Sequence, residues 1–402
     1  MKRSAFLRYL SAAVVLAAVI LLLFRFGADD GGTDAISYEA AEHIPTVVRY
    51  ARGFTLEYRR GYKVMRVLTP WRNAKTGFTY VLAPRGTKVP KIEPGAVFVE
   101  TPVRSIVLSS STHVPFFTLL GIEDAIAGIS GGNLINTPSV AERIRDGRIP
   151  EVGDGGGGMA RGFDMERLIE LDPDIVMTYG TGDARYDHHG KLMEAGFRVA
   201  MNSEYMELTA LGRSEWIKFV AAFFDMEEEA DRLFSEIADR YETLAEKAVN
   251  AVSKPTVFSG SNNAGVWSMP GGGSYVAAAF RDAGARYPWD GDSGSGSMPL
   301  HIEAVIERAG DADIWINPGT AGSMEELEAE DERYVVFSAF RSGQVFNNDA
   351  IIGPGGGNDI WEGGMIRPDL VLADLISIIH PELLPDHQRI WYRQLTWKNK
   401  RP

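Results

Sequence analysis

The sequence predicts an α/β protein with two doubly wound, Rossmann-like lobes. A single long α-helix bridges them, and a small β-rich extension precedes the first. Three observations carry this reading. A long amphipathic pattern fills the middle of the chain, short β-branched runs alternate with short helical patterns on both sides of it, and one helix–strand unit before the middle is echoed after it.

The middle pattern runs from Asp225 to about Ser253. Asp225 reads as an N-cap, and Glu227, Glu228 and Glu229 put negative charge on the first turn, where the helix dipole favours it. Apolar residues then recur at helical spacing from Ala230 through Phe234, Ile237, Tyr241 and Leu244 to Val252, and Pro255 stops the pattern. At 1.5 Å per residue such a helix spans roughly 40 Å, longer than a small domain is wide, so it reads as a strut between lobes.

Residues 1–27 read as a signal anchor or a cleaved signal peptide. Lys2, Arg3 and Arg8 precede an apolar run from Leu10 to Phe24, and Asp29 and Asp30 follow, which keeps the N-terminus inside and exports the rest. Residues 28–102 form the β-rich extension: Phe54, Leu56 and Tyr58 alternate with polar residues, Gly61 turns the chain into Tyr62, Val64 and Val67, and Tyr80-Val81-Leu82 follows. So few strands cannot make a core alone, so they are expected to pack on the first lobe.

The first lobe is assigned to 103–205. Its strands are Arg104 to Leu108, Ala125 to Ile129, Asp174 to Met177 and Phe197 to Met201, with helices at Phe116 to Leu120, Met165 to Leu171 and Lys191 to Ala195 between them. A bridging helical segment takes 206–253, and the second lobe takes 254–402. There, strands at Pro255 to Phe258, Asp313 to Ile316 and Gly343 to Phe346 alternate with helices at Ser274 to Ala283, Ile302 to Ala309 and Asp369 to Ile379. The echo is Met165-Glu166…Glu170 with Asp172-Pro173-Asp174-Ile175-Val176, repeated as Ile302-Glu303…Glu307 with Asp311-Ala312-Asp313-Ile314-Trp315.

Composition excludes several function classes. With 402 residues and a formal net charge of −13, the chain lacks the basic face that nucleic acid needs. It contains no cysteine, which excludes disulfides, thiolate metal sites, Cys nucleophiles and a lipid-bearing N-terminal Cys. Gly153-x-Gly155-x-x-Gly158 fits the dinucleotide pattern but does not open a helix directly after a strand.

The ordered pieces Val103 to Thr112, Ile126-Ala127-Gly128-Ile129, Pro150-Glu151-Val152-Gly153, the two echoed units, Glu194 to Val199, Phe337 to Phe346 and Arg367-Pro368-Asp369-Leu370…His380-Pro381-Glu382-Leu383 resemble one family. It is the periplasmic-binding proteins of ABC importers for iron–siderophore, haem and cobalamin. The resemblance covers about 103–384. It implies a non-enzymatic protein outside the cytoplasmic membrane, tethered or secreted, that captures such a ligand between two stiffly hinged lobes and delivers it to a permease and its ATPase subunits. No resident cofactor is implied, and a monomer is expected.

The resemblance also implies that Glu166 and Glu303, one per lobe, dock onto permease arginines; otherwise they are ordinary helix-start glutamates. Ligands of doubly wound sheets lie beyond the carboxyl ends of the strands. The expected ligand-binding residues are therefore Ser111, Thr112, His113, Arg161, Tyr186, Trp267, Tyr275, Trp289 and Trp361, several of them beside glycine runs where a flat ligand can approach and stack. Tyr186, or a histidine of the 183–189 cluster, could instead meet a metal. Two rival functions stay open: a membrane-tethered ligand sensor and a chelatase- or metallocluster-like enzyme.

Overall fold

The computed structural model describes residues 45–88, 93–153 and 162–398. The segment read as a signal lies outside them, as do Arg161 and the run Gly155 to Gly158. No helix among the described residues is long and apolar enough to cross a membrane.

The N-terminal strands Phe54–Arg59, Tyr62–Val67, Phe78–Pro84 and Val97–Thr101 form one sheet in that order, antiparallel except for the last, parallel pair. Its buried face does not stand alone. Phe54 packs on Trp216 with ring centroids 4.9 Å apart, and Tyr80 packs on Phe223 at 5.7 Å. Both partners belong to the helical segment that follows the first lobe, where every residue of Ile217–Phe223 is buried. The Met201 amide also donates to the Tyr80 hydroxyl at 2.8 Å, joining this sheet to the edge of the next.

The first lobe is a five-stranded parallel sheet. Its order is Glu151–Gly153, Ile126–Ser130, Ile106–Leu108, Ile175–Thr178, Val199–Met201, so the chain reverses direction across the sheet beside Ile106–Leu108. The second lobe pairs Val257–Ser259, Ile314–Ile316 and Val345–Asn347 in parallel and adds Arg393–Gln394 antiparallel. A small antiparallel sheet of Asn262–Asn263, Val266–Pro270 and Ser297–Leu300 lies beside it.

The long helix is Glu227–Val249, 23 residues and so about 35 Å. It starts one residue later than expected. Asp225 has a left-handed backbone (φ 55°) and its carboxylate meets Lys63 at 2.7 Å, so Met226 holds the cap position without a side-chain bond. The capping role fails because an ion pair with the N-terminal sheet takes the side chain instead. The helix buries Ala230, Phe234, Ile237, Ala238, Tyr241 and Ala248, and Arg240 reaches the buried Asp369 of helix Pro368–Ile379 at 2.8 Å.

Candidate functional site

The strand ends of both lobes converge on a cleft of about 640 Å³. From the first lobe come Ser110 and Thr112, after the central strand, and Tyr179 and Thr181, after Ile175–Thr178. From the second come Pro270, Ser274, Tyr275, Val276 and the turn Ser295 to Ser297. The segment Glu204 to Leu208 and Arg213 close one side. A second cavity of about 320 Å³ opens from the same place into the second lobe, and Arg213, Pro270, Tyr275 and Val276 border both.

The two chambers differ chemically. The smaller is walled by Phe280, Ile360, Trp361, Met365, Val371 and Leu375, with polar edges supplied by Asn317, Asn347, Asn348 and Tyr392. That is the pattern of a small-molecule site: mostly apolar, with a few placed hydrogen-bonding groups. Asn347 is held by donating Nδ2–H to the Gly319 carbonyl at 2.9 Å, and its Oδ1 accepts the Asn348 amide at 3.0 Å.

At the border, the Arg213 guanidinium lies 4.9 Å from the Tyr275 ring centroid and 3.3 Å from Glu204. Burial pushes the Tyr275 hydroxyl above its ordinary range, although Arg213 pulls the other way. The cleft carboxylates are already engaged. Glu204 accepts the Tyr205 amide and pairs with Arg213, while Glu207 accepts the Arg52 and Gly53 amides and the Trp216 indole N–H.

Among the expected ligand residues, Thr112 and Tyr275 line the cleft and Trp361, 43% exposed, lines the inner chamber. Ser111 sits in the turn beside them, half-buried. Three others are corrected by burial. His113 is fully buried with neither ring nitrogen partnered among the described residues. Trp267 is fully buried in the second-lobe core, stacked on Trp315 at 5.6 Å with its N–H donated to the Ser259 carbonyl. Trp289 packs between Tyr287 and Arg308.

Tyr186 is exposed away from the cleft, under the Arg185 guanidinium. The acids of its cluster hold their own loop. Asp187 accepts the Thr181 and Gly182 amides, and the Arg185 guanidinium holds the Asp183 carboxyl down at about 2. No group of three or more metal-type side chains comes together among the described residues. The glycine runs are packing devices too. A methyl on Gly272 would collide with carbonyls of the 289–292 turn, and one on Gly355 or Gly357 with the Asn133 or Leu134 carbonyl of the first lobe.

Sequence reasoning missed Tyr179, Thr181, Asn317, Asn347 and Asn348, although each stands at or just past the carboxyl end of a strand and the strand-end rule reaches them. It also missed Arg72, Glu204, Glu207 and Arg213, which come from turns and short helices with no local signal.

Glu166 and Glu303 are exposed at the starts of helices Met165–Leu171 and Ile302–Ala309, and Glu303 pairs with Arg333 at 2.9 Å.

Comparison with known proteins gives this geometry its relatives. Residues 106–351 match the family model described as periplasmic binding protein. Two uncharacterised lipoproteins of Methanocaldococcus jannaschii are similar. One is 25% identical over 85% of this chain and 83% of its own length, the other 28% identical over 86% of each. Among solved structures, a possible iron-binding (periplasmic solute-binding) protein of Staphylococcus epidermidis superposes with a TM-score of 0.54 at 17% identity, covering 70% of this chain and 100% of that one. A periplasmic haem-binding protein of Pseudomonas aeruginosa gives 0.53 at 18% identity, covering 74% and 99%. The strand order, the bridging helix and the match over most of both lobes agree: the chain belongs to the periplasmic binding protein family.

Proposed function

We propose that this protein captures a metal complex (a ferric siderophore, haem or a corrinoid) in the interlobe cleft, on the outer side of the cytoplasmic membrane, and delivers it to an ABC permease. The observation that carries the reading is the pair of joined chambers at the strand ends of both lobes, the outer one ringed by Ser, Thr, Tyr and Arg side chains and the inner one walled mainly by apolar residues. Together they fit a ligand with a polar metal-bearing part and an apolar edge. Glu166 and Glu303 are the proposed docking residues, one on each lobe. Exposed pairs of this kind contribute about 0–1 kcal/mol each, so their use is register and steering.

The test is tryptophan fluorescence and visible absorbance of the full chain in detergent, titrated with haemin, cyanocobalamin and ferric siderophores. Saturable quenching by one class, lost in Trp361→Phe, is expected. No response to any of them sinks the metal-complex reading.

A further inference from the structure

The turn between the second and third strands of the N-terminal sheet lies outside the residues the family model matches, yet it reaches the cleft. Trp71 anchors it. The indole stacks on His189 at 5.1 Å and sits against Gly180 and Gly182, where a methyl on Gly180 would stand 2.5 Å from the ring. The Ser203 hydroxyl donates to the Pro70 carbonyl at 3.1 Å, and the Tyr205 hydroxyl to that of Gly180. The turn is thereby fixed to the first lobe.

The next residue, Arg72, is exposed and lines the cleft. Its guanidinium crosses to the second lobe and lies against Gly296, where a Cβ would come 2.5 Å from Nη2. No carboxylate among the described residues pairs with it. The other arginine of the cleft, Arg213, is matched by Glu204, and Glu207 is matched by amides and an indole. Among the described residues Arg72 is therefore the cleft arginine without a carboxylate partner, on a protein whose net charge is −13.

We propose that the N-terminal sheet is a working part of the binding site, and that Arg72 captures a carboxylate of the incoming metal complex. An arginine fork presented in fixed geometry suits a carboxylate bidentately. The cleft then selects complexes bearing free carboxylates, such as haem or ferric citrate, over neutral corrinoids and cationic hydroxamate complexes. With its base on one lobe and its head on the other, the same side chain ties the closing of the lobes to the seating of that carboxylate. The inference rests on the capture reading above and narrows it.

The full chain in detergent, titrated by calorimetry with haemin, ferric citrate, cyanocobalamin and ferrioxamine B, tests it. At least one carboxylate-bearing probe is expected to bind. Arg72→Gln should weaken that probe about tenfold or more, and Arg72→Lys, which keeps the charge without the fork, should weaken it less. Arg72 is an exposed turn residue, so an unchanged melting midpoint separates the effect from misfolding. Equal affinity in R72Q overturns the proposal. Binding of cyanocobalamin or ferrioxamine B alone overturns it too, but leaves the capture reading standing. Failure of all four probes overturns both.

Discussion

Glu362 of the second lobe caps Thr137 of the first: its carboxylate accepts the Thr137 amide at 3.1 Å and the Thr137 hydroxyl at 2.9 Å. It also takes the Asn136 amide at 2.8 Å. The acceptor thus sits at the start of helix Pro138–Arg145, where the dipole favours a negative charge and no side chain of that helix caps it. Burial nevertheless raises the Glu362 carboxyl above its ordinary range, and the donors only partly offset this. Together with the 353–357 loop on Asn133 and Leu134, this bond makes a second junction between lobes besides the long helix. Glu362→Ala orphans three partly buried donors and should cost about 1–3 kcal/mol by urea unfolding. Glu362→Gln, which keeps one acceptor and removes a charge that burial disfavours, should cost about half as much. Equal losses would show that the charge itself is what the site needs.

Most of the architecture was legible in the sequence because it is local. Met165–Leu171 and Ile302–Ala309 fall on the expected residues, and four of the five first-lobe strands lie within about two residues of expectation, since β-branched runs and helical spacing report directly on burial; the edge strand Glu151–Gly153 was not expected. The site was less legible. Thr112 and Tyr275 followed from the strand-end rule, but an aromatic beside glycines is equally a core residue against tightly packed backbone, and for Trp267 and Trp289 the core won. Arg72 had no local signal at all. Its place depends on a turn fixed by Ser203 and Gly180, more than a hundred residues away.

His113 predicts an acid sensitivity. Full burial, with neither ring nitrogen partnered among the described residues, lowers its imidazole to about 3. The unfolded chain, whose His titrates near 6.5, then binds the proton that the native state refuses. The stability due to this neutral imidazole is full above pH 6.5 and is lost progressively as pH falls from there toward 3. At pH 5 the loss is about 2 kcal/mol from this group alone. His113→Leu should be flatter by that amount when urea midpoints at pH 7 and pH 5 are compared with wild type; parallel curves would refute the assignment.

Two carboxylates cradle five consecutive amides. Glu215 accepts those of Arg49, Tyr50 and Ala51, and Glu207 those of Arg52 and Gly53. Glu215 is fully buried and also pairs with Lys218 at 3.0 Å. Glu215→Ala should destabilise the fold by about 2–4 kcal/mol, because three amides lose their acceptor, while the Lys218 ammonium keeps Asp231 at 2.8 Å and the Val47 carbonyl at 2.7 Å. Hydrogen exchange should show amides 49–51 opening first. Uniform exchange across the chain would mean that this strap is not a separate unit.

The inner chamber makes a steric prediction. Ala279 lines it from helix Tyr275–Asp282, together with Trp361 and Leu375. Ala279→Phe fills apolar space at little cost to the fold but takes the room of a ligand's apolar edge. Affinity for whichever probe binds wild type should fall about tenfold or more, with the melting midpoint unchanged or raised. Unchanged affinity would confine the ligand to the outer cleft.

The docking glutamates separate capture from delivery. Glu166 and Glu303 lie on short helices of different lobes and neither lines a chamber, so reversing them leaves the cleft intact. Glu303 also holds Arg333, but Arg333 keeps Asp331 at 2.7 Å, so the local fold survives its loss. Glu166→Arg and Glu303→Arg should each leave probe affinity within about twofold, since the pairs are exposed and weak. Uptake into cells or proteoliposomes carrying the cognate permease should drop several-fold for each single variant and further for the double one, as both contacts set register. If uptake is unaffected while the cleft variants abolish it, docking lies elsewhere on the lobes. If the double variant binds ligand, blocks a downstream response and leaves uptake whole, the protein passes on a signal rather than its cargo.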